Sequence, residues 1–244
     1  MVTLHNTKIY KQLFWVLLKM IKKGDFIEID YIAKIKGTNI VFDLTQESKA
    51  KELNIYNPKV KYGPVVVCVG EKNLLNGLDD ALVGKEIGSF EVEIGAKNAF
   101  GLKNPKFLKV VKKDIFLQQN INPFVGLQVN IDGAIGVIRS VSGGRSIVDF
   151  NHPLAGRDVS YYVDIRGMVT ESIEKIKSII SFNLFLSDSD YVLEKRQDDN
   201  IEIKTKMEIP KELIDIFMEK YTRLVSKDKN VVFVFDKNNT TTAK

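Results

Sequence analysis

From Phe26 the chain alternates. In FIEIDYIAKI, Phe26, Glu28 and Asp30 fall on one side and Ile27, Ile29 and Tyr31 on the other, and a period of two residues predicts a β-strand. KGTN, residues 36–39, is a turn signal, so NIVFDL is expected to return as a hairpin partner. GPVVVCVG, residues 63–70, is an unbroken apolar run, which suits a buried strand. In EKNLLNGLDDALVGKEIG, Leu74, Leu75, Leu78 and Leu82 mark one face of a short helix, with Gly84 and Gly88 punctuating its exit. SFEVEIGAKNAFG is then another alternating strand that ends in a glycine-containing loop.

Between Leu102 and Asn151 the apolar runs shorten and are broken by NINP, VGLQV, IDGAIG and SVSGGRS. Turn signals at such close intervals predict a small all-β unit. VSYYVDI, residues 159–165, resumes the earlier strand style, so the β-unit reads as an insertion in a sheet-and-helix domain. The last seventy residues form a further unit. NIEIKTKMEI alternates, with Ile201, Ile203, Thr205, Met207 and Ile209 on one face. PKELIDIFMEKYTRLV predicts a helix with Pro210 near its first turn and an apolar stripe of Leu213, Ile214, Phe217, Tyr221 and Leu224. VVFVFD follows as a buried strand, and two parallel strands flanking a helix would make a right-handed crossover.

Charge changes the picture mainly at the start. Of 36 basic residues, Lys8, Lys11, Lys19, Lys22 and Lys23 lie in the first 24 positions, which hold no acid; the remaining chain balances its 31 acidic residues. A folded nucleic-acid binder carries a basic stripe on its domain, and none is legible here. LFWVLL, residues 13–18, is far shorter than the ~20 apolar residues that span a bilayer. With Ile9 and Met20 it fits a short amphipathic docking helix; a translation start at Met20 is the other reading of this leader. The tail NNTTTAK is expected to be disordered. Cys68 is the only cysteine, which excludes an internal disulfide and a thiolate zinc cluster and fits a reducing cytosol.

The chemistry-bearing inventory is sparse. There is no phosphate-binding GxxxxGK[ST] loop and no HExxH motif, and His5 and His152 are the only imidazoles. A thiol inside VVVCVG is expected to be inert. What remains is aromatic and aliphatic: Tyr31, Phe42, Val65, Leu74, Leu75, Leu78, Phe100 and Tyr161 could line a pocket, although each alone reads as core before it reads as site.

Taken in order, IDYIAKI, VFDLT, VGEKNLLNGLDDALVGKEIG, GAKNAFG and DFNHPLAGRDVSYYVDI resemble the FKBP-type peptidyl-prolyl isomerases over residues 23–170. The insertion after AFG and the NHPLAG exit look like the SlyD-type branch and its archaeal long relatives, which carry an insert-in-flap chaperone domain. The implied fold is α+β: an antiparallel sheet wrapping a short helix (23–102 and 152–170), an inserted small all-β domain (103–151) and a C-terminal α/β domain (172–238). Residues 1–22 would precede it as an extension and 239–244 follow it as a tail.

The resemblance also implies roles. Tyr31 and Asp43 match the tyrosine and aspartate beside the proline pocket. Leu74 and Leu75 match the pair where a backbone N–H meets the substrate. Leu78 matches the pocket floor, Val65 falls where many members have phenylalanine, and Tyr161 falls at a position usually phenylalanine. Phe100 stands where the family has a tyrosine able to donate its hydroxyl. Catalysis is thus expected of Tyr31, Asp43, Leu75, Phe100 and Tyr161, and substrate binding of Val65, Leu74 and Leu78. In the insert, Phe116, Leu117, Phe124 and Val125, with Ile121, Leu127 and Ile135, are expected to offer unfolded chain an apolar surface. His152 would tie the insert's two connecting strands by hydrogen bonds. No metal or cofactor is implied. The partners would be unfolded proline-containing polypeptides, with a homodimer through the C-terminal domain as a further possibility and neither nucleic acid nor stable membrane insertion. A non-catalytic holdase or a dimeric scaffold that keeps the same shell is the alternative.

Overall fold

A computed structural model describes residues 20–196, 200–227 and 231–235. The leader's docking helix or alternative start and the expected tail lie outside the described residues, apart from Met20 itself. The chain divides into two compact units. Of the described residues, one comprises those up to Lys34, Val41–Val92 and those from Tyr161 on; the other comprises Ile35–Ile40 and Glu93–Ser160.

The first unit is organised by a five-stranded sheet. Its strands are β1 (Phe26–Ile35), β2 (Val41–Leu44), β3 (Val65–Cys68), β4 (Gly88–Ile94) and β9 (Val159–Met168), ordered β2-β1-β9-β4 with β3 also paired to β1. β2 and β3 both run antiparallel to β1, β3 along its first half (Phe26 opposite Cys68, Ile29 opposite Val65) and β2 along its second (Ala33 opposite Asp43). Two short helices belong here: α1 (Glu47–Glu52) and α2 (Asn76–Leu82).

The alternation in β1 does not mark a solvated face. Asp30 is only 2% exposed. Thr45 Oγ1 donates to its Oδ1 at 2.6 Å, and the Arg166 guanidinium pairs with its Oδ2. A buried carboxylate without such partners would cost several kcal/mol, so the acid is there because Thr45, just after β2, and Arg166 of β9 supply its partners. Phe26, on the same side, is buried for a different reason. It shares a core with Cys68 and with Ile176, Ile179 and Ile180 of α4 (Ser172–Leu184) and Phe217 and Tyr221 of α5 (Lys211–Leu224). Ser178 Oγ of α4 also donates to the Val66 carbonyl at 2.7 Å. The segment expected as a separate domain over 172–238 therefore shares its core with β1 and β3. Burial pushes the Cys68 thiol up to about 12, keeping it neutral and unreactive.

The C-terminal sheet orders β10 (Tyr191–Lys195), β11 (Ile201–Thr205) and β12 (Val231–Phe235) side by side. β11 and β12 are parallel, with α5 as the connecting helix, and β10 is antiparallel to β11. The expected strand through Ile209 ends earlier, at Thr205, and Met207 is exposed.

The second unit is a four-stranded antiparallel sheet ordered β5-β8-β7-β6, from β5 (Leu108–Lys112), β6 (Gln128–Ile131), β7 (Ala134–Ser142) and β8 (Arg145–Asp149). It is not wholly β. Helix α3 (Lys113–Gln118) lays Phe116 into a small core with Val111, Val129, Ile138 and Val148. Gly136 is required at its centre: a Cβ there would sit 2.6 Å from Val148 Cγ1 and 2.8 Å from Phe150 Cδ1. Asp149 is buried at the end of β8. Burial alone would raise its carboxyl pKa, but hydrogen bonds from Asn151, Arg139 and Lys103 outweigh this and pull it down to about 2.

Candidate functional site

Strand pairing brings the first group of residues together. Tyr31 on β1 is locked to the β2 exit, its N–H donating to Thr45 Oγ1 at 3.0 Å while the Thr45 N–H donates to its carbonyl at 3.1 Å. That sets the Tyr31 backbone, and the ring is oriented by its hydroxyl, which donates to Asp43 Oδ2 at 2.9 Å. Tyr161 of β9, buried, lies beside it, with ring centroids 5.7 Å apart and planes tilted by 54°. Phe42 of β2 presents its ring edge-on to Tyr161 at 6.1 Å and 82°, a favourable arrangement for two quadrupoles. Burial, reinforced by the Asp43 charge, raises both tyrosine pKa values well above the usual phenol range. Both hydroxyls therefore stay protonated, and Tyr31 spends its proton on Asp43. A hollow of about 250 Å³ opens beside Phe42 and Asp43, lined further by Leu44, Ile55, Val60 and Tyr62. Ile55, Val60 and Tyr62 carried no periodic signal, because the loop that holds them has none.

The second group lies around α2. The helix starts one residue after Leu75, so Leu74 and Leu75 belong to the turn before it and not to its apolar face. The Leu75 carbonyl accepts from the N–H groups of Leu78 and Asp79, each at 2.9 Å. Asp79, buried, holds the turn from inside, accepting from the Gly70 N–H at 2.9 Å and the Lys72 N–H at 3.1 Å. Asn73 Oδ1 accepts from Cys68 N–H at 2.9 Å. Among the described residues the Leu75 N–H has no protein acceptor, so a structured turn presents an unused donor. Asp79 was legible only as one acid among many. Leu78 and Leu82 are buried, and Leu74 and Leu75 are half-buried. Val65 lines a different hollow, of about 260 Å³, formed by Tyr62 to Val66 with Ser178, Ser181 and Phe182 of α4.

In the second unit, Phe100 stacks on His152, centroids 4.6 Å apart and planes within 3°. His152 Nδ1 accepts from the Leu154 N–H at 3.1 Å, a bond within its own turn. The expected hydrogen-bonded tie between the connecting strands is made instead by Asn104 and Asn151: the Asn104 N–H donates to Asn151 Oδ1 at 2.7 Å and the Asn151 amide donates back to the Asn104 carbonyl at 3.2 Å. Of the expected apolar surface, Phe116 must be withdrawn, since it is 1% exposed and fills the core. Ile121 and Leu127 pack against that core. Leu117, Phe124, Val125 and Ile135 are exposed, Phe124 by 58% and Val125 by 64%.

Known proteins bear on these two units directly. A short-type peptidyl-prolyl cis-trans isomerase of Methanocaldococcus jannaschii is 31% identical over 151 residues, 62% of this chain and 95% of that protein. A probable FKBP-type 16 kDa peptidyl-prolyl cis-trans isomerase of Pseudomonas fluorescens is 34% identical over 108 residues, 42% of this chain and 71% of that protein. The chain belongs to the FKBP-type peptidyl-prolyl cis-trans isomerases. The family described as FKBP26, IF domain, matches residues 109–154, which cover the sheet and helix of the second unit. The FKBP-type isomerase SlyD of Haemophilus influenzae is 28% identical over 144 residues, 57% of this chain and 75% of that protein. Among the described residues no helix is long and apolar enough to cross a membrane.

Proposed function

We propose that this FKBP-type chain isomerises X–Pro bonds of unfolded polypeptides at the Tyr31–Asp43–Tyr161 group, with Leu74, Leu75 and Leu78 completing the apolar surround. The observation that carries the reading is the Tyr31 hydroxyl bonded to Asp43 at 2.9 Å beside the buried Tyr161 ring. An X–Pro amide rotates over a barrier of ~18–20 kcal/mol because resonance keeps it planar, and spontaneous exchange takes tens of seconds or more. No covalent step is needed to speed it. An apolar, ring-lined site holds the proline while the preceding carbonyl turns, and disfavours the more polar planar amide. A fixed donor that meets the twisted amide and not the planar one lowers the barrier selectively. The unused Leu75 N–H is suited to that task. Asp43 sits at the rim and orients the Tyr31 ring.

The exposed Leu117, Phe124, Val125 and Ile135 support a client-holding role for the insert. Tethering a client there raises the local concentration of its prolines at the isomerase site. Exchange NMR on a labelled proline tetrapeptide tests the catalytic part. Substoichiometric protein should raise the cis–trans exchange rate, and a competitor of the FKBP proline pocket should abolish the increase. An unchanged exchange rate, with refolding clients still held, would leave the non-catalytic holdase.

A further inference from the structure

The turn that carries Leu74 and Leu75 is held from two sides. From inside, Asp79 fixes Gly70 and Lys72. From outside, Glu71 is gripped by α5: Arg223 Nη1 donates to Oε1 at 2.7 Å, Nη2 donates to Oε2 at 3.0 Å, and Lys220 Nζ pairs with Oε2 at 3.3 Å. This is a two-pronged fork on a carboxylate that is only 13% exposed, the geometry in which an ion pair acquires direction as well as energy. Arg223's hydrogen bonds hold the Glu71 carboxyl below the usual range, so it remains ionised for the grip.

α5 has no freedom to follow the turn. Its Phe217 and Tyr221 are buried in the same core as Ile201, Ile203 and Ile180. A second tie, Ser178 to the Val66 carbonyl, holds the strand that feeds this turn. The Glu71 tie lands within a few residues of the candidate pocket positions Leu74 and Leu75, while the Val66 tie lies beside Val65 of the other hollow.

We propose that the C-terminal segment is a positioning element for the isomerase site: Arg223 and Lys220 hold Glu71, and Glu71 sets where the Leu75 N–H points. This rests on the reading of Leu74 and Leu75 as pocket residues. Arg223 and Glu71 are positioning residues, because neither need touch substrate.

The test uses the full chain with Arg223→Glu, Glu71→Arg and the double exchange, assayed on a proline tetrapeptide and by hydrogen exchange at the 71–75 amides. Each single variant should lower kcat about threefold to tenfold, the range that one misaligned hydrogen bond accounts for, with KM little changed. Exchange at the 71–75 amides should accelerate, and the double variant should restore both readouts to within about twofold, as coupled pairs do. Ile203→Val serves as the control, since it weakens the same core without touching the turn. It should lower the melting temperature by a few degrees and leave kcat unchanged. An equal loss of kcat in Ile203→Val, an unrescued double variant, or unchanged kcat and amide exchange in Arg223→Glu would overturn the positioning role. Absence of turnover in the unsubstituted chain would instead overturn the isomerase reading, while the amide-exchange arm still judges the grip on the turn.

Discussion

Asp43→Ala is expected to cut kcat/KM on X–Pro peptides about tenfold to a hundredfold, the equivalent of losing a hydrogen bond to a charged group. Asp43 is exposed and its neighbours Leu44 and Thr45 are buried, so the strand is anchored without it. Its carboxylate is what holds the Tyr31 hydroxyl at 2.9 Å. Without that acceptor the ring beside Tyr161 loses its fixed orientation, and burial keeps the orphaned hydroxyl protonated. Asp43→Asn keeps an acceptor and should lose far less, about threefold. The melting temperature should move by only a few degrees, as about 1 kcal/mol implies for a chain of this size. Peptide kinetics and a thermal melt on the same preparations check this. Equal activity in Asp43→Ala and the parent would remove the Tyr31–Asp43 bond from the mechanism.

The second large effect is expected in the insert. Gly136→Val should unfold that unit, because a first added carbon already falls 2.6 Å from Val148 Cγ1 and between two atoms of the Phe150 ring. Overpacking typically costs about 1–3 kcal/mol, and more where neighbours cannot yield. Here they cannot, since Val148 is fully buried and the core contains only Val111, Phe116, Val129, Ile138 and Val148 as buried members. A core that small has little stability in reserve. Hydrogen exchange should accelerate across β5 to β8 while β1 and β9 keep their protection. Tetrapeptide turnover should then stay within about twofold, whereas catalysis of protein refolding should fall about tenfold or more as tethering is lost. Equal losses in both assays would defeat the division of labour between site and insert.

These two residues also mark how far the sequence could be read. Asp43 is reachable only through the resemblance of VFDLT to the family's motif, and the role of its partner Tyr31 through that of IDYIAKI. The steric need for Gly136 was not reachable, since IDGAIG reads only as a turn and nothing in it announces Val148 and Phe150 overhead. Phe116 misled for a related reason: an apolar residue in a short run looks the same whether it caps a core or faces water, and only the packing of α3 decides. The Leu74–Leu82 stripe placed a helix correctly but started it too early, because leucines before a helix share the spacing of those within it. α4 carries a signal of its own, since Ile173, Ile176, Ile180 and Leu184 follow helical spacing. Its consequence, a C-terminal segment that shares a core with Phe26 and Cys68, depends on long-range contacts that no local pattern encodes.

Proline binding at the Tyr31–Asp43–Tyr161 group is tested by titrating the isotope-labelled full chain with a proline-containing tetrapeptide and following amide chemical shifts. Saturable changes are expected at Tyr31, Asp43, Leu75 and Tyr161. Changes confined to Val66, Ser178 and Phe182 around the other hollow, or no saturable change at all, would contradict it.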